Sequence, residues 1–295
     1  MWVALEFNIL AFLPIMSSES GMAFENTIKY FLIQRWASII FLSRILFSVN
    51  LTQNLENIAI FSIFIKLGLA PFHGWFVSII NTCSLWILVI LSTIQKIIPI
   101  VIVSQIFISV NMVFFFSILN LVVVFSIAMR VVFLNKLLAI SSLNNLIWFI
   151  FRSQIKFKLF LFFIMIYLIS LTGILILYNK TGIVNFLQIR NLSIIDKLFR
   201  VFIFMSLGGI PPFLGFLGKL VVLKALVAYL NLVFVTGIII SALIIVYMYM
   251  SRVFFILRYS PNTKLITVRS RITIPKYAYL ILLRFISVFI IIFSL

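Results

Sequence analysis

Long apolar runs follow one another along this sequence, with short polar or basic stretches between them. Two of these runs, 97–129 and 225–251, contain no charged residue. Each exceeds the ~20 residues that an α-helix needs to cross the hydrocarbon core of a bilayer. Membrane β-barrels instead show segments of ~10 residues in which polar and apolar positions alternate, and that signature is absent from the sequence. The pattern therefore predicts an all-α polytopic membrane protein.

The same pattern predicts about ten transmembrane helices within one membrane domain, residues 1–295. Two pseudo-repeats are expected, over 1–108 and 111–256, followed by a C-terminal helix. The ten helices are expected near 2–16, 26–48, 57–81, 84–108, 111–129, 137–151, 159–179, 200–226, 230–256 and 277–295. The first of them is short for a complete span.

Composition supports a membrane protein and excludes several other classes. The chain is 65% hydrophobic and 9% charged, whereas a soluble globular protein is about half apolar. The formal net charge is +18, but the basic residues are scattered between apolar segments, so we expect no nucleic-acid partner. Cys83 is the only cysteine in the sequence, which excludes a disulfide framework or a cysteine-ligated cluster built from this chain alone.

The two long connections, 181–199 and 258–276, lie with their flanking residues on the more basic side of the predicted membrane. That side carries Lys180, Arg190, Lys197, Arg200, Arg258, Lys264, Arg269, Arg271 and Lys276, whereas the opposite side has chiefly Arg152, Lys156 and Lys158. An even number of spans places both termini on one side of the membrane and both connections on the other. By the positive-inside rule, the connections face the compartment in which the protein is made, and we expect them to contact anionic lipids. The second predicted span carries Lys29, Arg35 and Arg44 without a proline, and these side chains are expected to reach the interface or lipid.

Prolines within the predicted spans share their helices with ionisable residues. Pro14 follows Glu6, Pro71 follows Lys66, Pro99 follows Lys96, and Pro211 and Pro212 precede Lys219. Proline removes the helical hydrogen bond to the carbonyl four residues earlier, and such broken backbone is tolerated at membrane depth only where protein or water lines it. A charge beside a helix break indicates a hydrated ion path. The alternative interpretation is a packing kink beside a lysine that snorkels.

Two of the helix breaks share a local sequence. In the segment 67–75 a Leu-Gly pair is followed by Pro-Phe-x-Gly, and the same pattern recurs in 207–216 with one extra residue between its two parts. The prolines Pro71 and Pro212 are 141 residues apart (212 − 71). Interrupted helices at corresponding places in two halves predict an inverted-repeat fold that translocates ions.

Four ionisable residues near the breaks are candidate members of a proton relay: Glu6, Lys66, Lys96 and Lys219. Glu6 is the only acidic residue well inside a predicted span, so we expect it to be the counter-ion of Lys66. The other two lysines would continue a polar axis along the membrane midplane. His73 is the only histidine in the sequence; it is either a structural residue or a relay member, and alone it predicts no metal site.

Several stretches of the sequence resemble the antiporter-like subunits of respiratory complex I. Lys66–Trp75 resembles the family signature Lys-x-Gly-x-Ala-Pro-Phe-His-x-Trp, and Ser206–Phe216 resembles its most specific signature. Three further motifs agree: Leu5–Asn8 with Phe12–Pro14, Lys29–Leu32 with Gln34, and Gln95–Ile97 with Pro99. The resemblance extends over residues 2–257.

This resemblance implies a non-redox, proton-translocating subunit in the membrane arm of NADH:ubiquinone oxidoreductase, in the mitochondrial inner membrane. Electron transfer in other subunits would drive protons along Glu6, Lys66, Lys96 and Lys219. NADH, FMN, iron–sulfur clusters and ubiquinone would be bound by those other subunits, and no cofactor by this chain. Its partners would be other membrane-arm subunits, including neighbouring antiporter-like subunits, and lipids. Both termini would lie on the intermembrane-space side and the long basic loops on the matrix side.

The sequence also departs from the family at several places. Family members usually have one more helix before the first helix here, so we expect a shortened N-terminus. Asn145 stands where a histidine is common, and Gly218-Lys219-Leu220 stands where the family has Pro-Lys-Trp. Lys136 matches a family lysine, and we expect it at a helix end as a further relay candidate. A stand-alone cation/proton antiporter and a structural subunit that has lost pumping therefore remain as alternatives.

Overall fold

The structure is a computed structural model. It describes residues 1–18, 23–47, 54–106, 110–128, 133–155, 157–182, 188, 194–211, 213–229 and 232–258. Pro212, most of the connection 181–199, the connection that follows Arg258 and the predicted helix 277–295 lie outside the described residues. In the described part, every element is an α-helix, as the apolar pattern predicts.

Twelve helices are found within the described ranges, and their bounds are as follows. They are α1 (Trp2–Ser17), α2 (Ala23–Phe47), α3 (Asn54–Leu67), α4 (Gly74–Thr82), α5 (Leu85–Ser92), α6 (Ile94–Gln105), α7 (Val110–Ala128), α8 (Leu134–Ile155), α9 (Phe157–Thr181), α10 (Ile194–Gly208), α11 (Leu214–Tyr229) and α12 (Leu232–Arg258). Three of the predicted runs, 57–81, 84–108 and 200–226, thus each contain two helices. The helix α10 begins at Ile194 instead of the predicted 200, because Asp196 and Lys197 belong to its first turns.

The interruption of the run 84–108 is not at Pro99, where the sequence predicts it. Pro99 lies inside α6, and the interruption falls at Thr93, six residues earlier (99 − 93), between α5 and α6. Thr93 has φ −123° and ψ −76°, and its Oγ1 donates a hydrogen bond of 2.6 Å to the carbonyl of Val89. Pro99 cannot donate to the carbonyl of Gln95, which already lies inside α6, so this proline does not account for the interruption at Thr93.

One helix, α8, lies at the centre of the bundle. It packs against α4, α5, α6, α7, α9, α11 and α12. Among the described residues, four segments are long and apolar enough to cross a membrane: Leu85–Gln105, Leu134–Phe151, Phe160–Thr181 and Val235–Phe254. The segment from α8 is 94% buried, whereas Val235–Phe254 from α12 is 33% buried. Every side of α8 therefore faces protein, and much of α12 faces outwards.

Large apolar side chains cover much of the outer surface of the bundle. Phe7, Phe24, Trp36 and Phe254 are each more than 60% exposed. A soluble monomer rarely exposes many such groups together, whereas lipid tails solvate them well. Polar groups lie instead in the interior: Ser141, Ser142, Asn144 and Asn145 of α8 are all buried. The bundle thus has an apolar outer surface and a core that is mostly apolar but includes buried polar side chains.

Candidate functional site

The first interruption lies between α3 and α4. The helix α3 ends at Leu67 and is followed by Gly68, whose φ of +71° is accessible to glycine with little strain. Two side chains satisfy carbonyls of the last turn of α3. Gln34 Nε2 donates to the carbonyl of Lys66 at 3.1 Å, and Trp75 Nε1 donates to the carbonyl of Ile65 at 3.1 Å. The broken end of α3 is therefore held by α2 on one side and by α4 on the other.

The second interruption, between α10 and α11, has the same backbone hydrogen bonds as the first. Gly209 has a φ of +78° and donates to the carbonyl of Ser206, as Gly68 donates to that of Ile65. The amides that follow these two glycines donate to Met205 and Phe64, which are also 141 residues apart (205 − 64).

Gly68 therefore corresponds to Gly209, and the two segments align without an insertion. The sequence comparison pairs Gly68 with Gly208 and so needs one extra residue, and that register is wrong. The Leu-Gly match is coincidental, because the left-handed glycine that ends the helix is the next residue along, Gly209.

Two buried lysines meet the carboxyl ends of the interrupted helices. Lys66 lies in the last turn of α3 and is 5% exposed. Lys219 belongs to α11, but its ammonium reaches back and donates a hydrogen bond of 2.7 Å to the carbonyl of Gly208, the last residue of α10. The carboxyl end of a helix carries a partial negative charge, which favours a cation. Both repeats thus have a buried lysine near a helix end, but only Lys219 hydrogen-bonds that end, since the Nζ of Lys66 makes no hydrogen bond to a described residue.

Lys96 is held in a different way, between α4 and α8. Its Nζ donates a hydrogen bond of 3.2 Å to the carbonyl of Ser142 and lies 4.7 Å from the centroid of the Phe76 ring. Lys96 is 3% exposed, so both contacts occur away from bulk water, where a cation over an aromatic ring is most favourable. The lysine connects the first repeat to the central helix α8.

A small cavity lies between Lys66 and Lys96. Its volume is about 20 Å³, enough for a single water molecule. Both lysines line it, together with Asn8, Gln34 and Gln95. These side chains provide several hydrogen-bond donors and acceptors, as a buried water requires. The cavity therefore suits a polar connection between the two lysines.

The carboxylate of Glu6 forms an ion pair with the guanidinium of Arg35 on α2. The Glu6 side chain is 10% exposed and the Arg35 side chain 34%. Lys66 interacts electrostatically with both charges, but among the described residues only Arg35 is within ion-pair distance of Glu6. The direct counter-ion of Glu6 is thus Arg35, and not Lys66 as the sequence predicts. Arg35 does not simply snorkel, because α1 packs on α2 and brings Glu6 within its reach.

The remaining sequence candidates occupy less central places. His73 precedes α4, is half-buried, and its Nδ1 lies 3.2 Å from the carbonyl of Pro71 within the same turn. Lys136 is half-buried in the first turn of α8, at a helix end as predicted. Pro71 and Pro211 lie in the turns after α3 and α10 and are exposed. The structure does not bring His73 or Lys136 into the group formed by the buried lysines and Glu6.

Gly218 has a packing role beside Lys219. A Cβ at position 218 would lie 2.5 Å from Cδ2 of Phe163, so glycine lets α11 approach α9 at this point. The aromatic ring of Phe163 therefore fills the space beside the lysine. The departure of Gly218 from the family pattern accompanies this close helix contact, and Lys219 keeps its hydrogen bond to Gly208.

The sequence reasoning missed a second buried charge cluster at the ends of α9 and α10. Asp196 Oδ1 lies 3.1 Å from Lys180 Nζ, and Arg200 donates a hydrogen bond of 2.6 Å to Thr181 Oγ1. Asp196 and Arg200 are 6% and 4% exposed. One signal was available: Asp196 is one of only five acidic residues in the sequence and lies among basic ones.

Known proteins resemble this chain over most of its length. Residues 1–245 match a family described as NADH:quinone oxidoreductase/Mrp antiporter, transmembrane. A protein of Anopheles gambiae named NADH-ubiquinone oxidoreductase chain 2 is 31% identical over 280 residues, which are 89% of this chain and 81% of that protein. Its namesake in Artemia franciscana is 32% identical, covering 85% of this chain and 80% of the relative. A chain from respiratory complex I of Thermus thermophilus with bound aureothin has the same fold, with a TM-score of 0.75 and 19% identity over 87% of this chain and 65% of that chain.

Proposed function

We propose that this chain, which belongs to the NADH:quinone oxidoreductase/Mrp antiporter family of membrane proteins, translocates protons as a membrane-arm subunit of NADH:ubiquinone oxidoreductase. The observation that carries the proposal is the burial of Lys66, Lys96 and Lys219 beside interrupted helices, each 3–5% exposed. Burying a cation within a membrane costs free energy, so a buried cation there indicates a functional site. Lys96 and Lys219 donate hydrogen bonds to backbone carbonyls, whereas the buried Nζ of Lys66 makes no hydrogen bond to a described residue.

The proposed path begins at Glu6 and Arg35, continues through Lys66 and Lys96, and ends at Lys219. Lys66 and Lys96 both line the small cavity, which has room for one water molecule, and in this proposal such a water carries the proton between them. The interrupted helices would be discontinuous transmembrane helices, and the carbonyl at the end of α10 would stabilise the charged form of Lys219. The chain itself contributes no redox chemistry in this proposal, and NADH, FMN, iron–sulfur clusters and ubiquinone are handled by other subunits.

The proposed setting is supported by the animal relatives, which are named NADH-ubiquinone oxidoreductase chain 2, and its orientation by the positive-inside rule. The chain is placed in the mitochondrial inner membrane with other membrane-arm subunits and lipids as neighbours. Both termini are assigned to the intermembrane space and the long basic connections to the matrix. The large exposed apolar surface, including Phe7, Trp36 and Phe254, supports contacts with lipid tails and with helices of those neighbours.

The experiment compares Lys66→Met with Lys29→Met in the intact complex reconstituted into sealed vesicles. Lys66 is buried, whereas the Lys29 side chain is 47% exposed and paired with Glu25, so Lys29 is the matched control. We expect Lys66→Met to lower the rate of proton translocation by about 10² or more, the contribution of a positioned proton-transfer group. Equal pumping by the two variants would contradict a relay and favour a structural subunit. Cation transport by the isolated chain would favour a stand-alone antiporter.

A further inference from the structure

The ammonium group of Lys66 lies near a carboxylate that is paired with another residue. Lys66 is 5% exposed, and its buried Nζ makes no hydrogen bond to a described residue. Burying a charge is costly unless the charge is paired and hydrogen-bonded. Glu6 acts electrostatically on Lys66, yet its carboxylate forms an ion pair with the guanidinium of Arg35. Arg35 thus holds the carboxylate that would otherwise serve Lys66.

The helix α2 holds both the acid and the backbone of the lysine. Its residue Arg35 pairs with Glu6 of α1, and the adjacent residue Gln34 donates a hydrogen bond of 3.1 Å to the carbonyl of Lys66. The helix packs against both α1 and α3. Two consecutive residues of α2 therefore fix Glu6 and Lys66 at the same level of the bundle.

Arg35 is itself held in place by α2. Its guanidinium carbon lies 5.1 Å from the centroid of the Phe31 ring, one turn earlier in the same helix, within the range of a cation–π contact. The side chain of Arg35 is 34% exposed and that of Glu6 is 10% exposed, so the acid is the inner member of the pair. An arginine stays protonated in proteins. Arg35 therefore cannot pass a proton on, and it acts through its charge.

The other ionisable groups beside Lys66 do not take the place of Glu6. Tyr30 and Lys96 line the same small cavity as Lys66. The Tyr30 hydroxyl donates a hydrogen bond of 3.2 Å to Oε1 of Gln95, and Lys96 carries a charge of the same sign as Lys66. The described acidic side chain that acts on Lys66 is that of Glu6. The pairing of Glu6 with Arg35 therefore decides which charge Lys66 faces.

We propose that Arg35 is a positioning residue, which keeps the Glu6 carboxylate paired so that Lys66 can release its proton. The proposal rests on the proposed function, in which Lys66 carries a proton. In the release step an N–H bond of the Lys66 ammonium breaks, and an N–H bond forms on the neutral amine of Lys96. Next to an ion pair, the Lys66 ammonium faces little net charge. Next to an unpaired carboxylate, it would be stabilised and its proton would be harder to release.

The test compares Arg35→Met, Arg35→Lys and Lys29→Met in the intact complex, reconstituted into sealed vesicles. Arg35→Met removes the charge, whereas Arg35→Lys keeps it. Lys29→Met is the control, because Lys29 belongs to the same helix as Arg35 but its side chain is 47% exposed and paired with Glu25. The initial rate of proton translocation is measured as a function of pH for each variant and for the unmodified complex.

We expect the pH of maximal proton translocation to rise by about one unit in Arg35→Met. An opposite charge nearby shifts a titration by about 1–3 units, and the lower end applies because this site lies near the edge of the bundle. Arg35→Lys and Lys29→Met should keep the profile of the unmodified complex. A structural role alone would lower the rate at every pH and leave the profile in place, and that result overturns the inference. An equal shift in Arg35→Lys also refutes it, since the charge would then not be the cause.

Two further variants cover poor assembly and the dependence on the proposed function. If Arg35→Met assembles poorly, Arg35→Gln replaces it, because an amide can donate a hydrogen bond to Glu6 without a charge, and the same rise is expected. If neither neutral variant assembles, Arg35 is a structural residue and the inference is overturned. If Lys66→Met leaves translocation unchanged, the proposed function fails and the inference with it. If Lys66→Met stops translocation and Arg35→Met keeps the unmodified profile, the relay stands and only the role of Arg35 is refuted.

Discussion

Gly209→Ala tests how Lys219 is held without changing the lysine itself. Gly209 has a φ of +78°, and an added Cβ would lie 2.9 Å from Lys219 Nζ and 3.1 Å from its Cε. The lysine is flexible, so we expect its ammonium to swing away from the carbonyl of Gly208. The left-handed backbone costs about 1–2 kcal/mol for alanine, and losing a hydrogen bond to a charged group costs about 1.5–3 kcal/mol. We therefore expect Gly209→Ala to destabilise the folded protein by about 2.5–5 kcal/mol.

Gly182→Ala is the matched control for this substitution. Gly182 also has a positive φ, +64°, but an added Cβ there meets no atom within 4 Å. The control therefore carries the backbone strain alone, about 1–2 kcal/mol. Two measurements on the purified complex distinguish the variants: the temperature of half-inactivation and the rate of proton translocation in sealed vesicles. We expect both variants to lower the first and Gly209→Ala alone to lower the second. Equal rates of proton translocation would refute the role assigned to the contact between Lys219 and Gly208.

Two further predictions concern packing and buried charge. We expect Gly215→Ala to prevent assembly, because its Cβ would lie 1.8 Å from the backbone oxygen of Ser206. Gly74→Ala, at the corresponding place of the first repeat, meets no atom within 4 Å and should assemble normally. Blue-native gels measure the assembly of both variants, and assembly of Gly215→Ala would show that α10 and α11 are not this close. We expect Asp196→Asn to destabilise the complex by about 1–3 kcal/mol, less than a fully buried pair because Lys180 is 44% exposed. Glu25→Gln is the control, because Glu25 belongs to an exposed pair, and it should lower the stability of the complex by at most about 0.5 kcal/mol. Equal thermal stability of the Asp196→Asn and Glu25→Gln variants would contradict the prediction.

The sequence predicts the helices and the buried lysines well, for a physical reason. Apolar runs of sufficient length must be helices in a membrane, and a charge within such a run is conspicuous. Lys66, Lys96 and Lys219 stand out on this basis, and the structure buries all three. Each of these lysines also has a proline within a few residues in the sequence: Pro71, Pro99 and Pro211 are strong local signals.

The partners of these groups could not be predicted in the same way. Whether Arg35 reaches lipid or Glu6 depends on how α1 packs against α2, and a long side chain can do either. The interruption at Thr93 was missed because no proline or glycine marks it in the sequence, whereas Pro99 is a strong signal that lies inside α6. The register of the second repeat was misassigned at Gly208 because short apolar matches arise by chance, whereas hydrogen bonds of the backbone define the correspondence.

The central helix α8 has a consequence for how the protein enters its membrane. It is the least apolar of the four spanning segments and the most buried, and it carries Asn144, whose side-chain atoms make no hydrogen bond to a described residue. Such a helix gains little from lipid alone. The helix α9 is more apolar and begins two residues after α8 ends. We therefore expect the two to insert together as a helical hairpin, which covers one side of α8 with α9 at once.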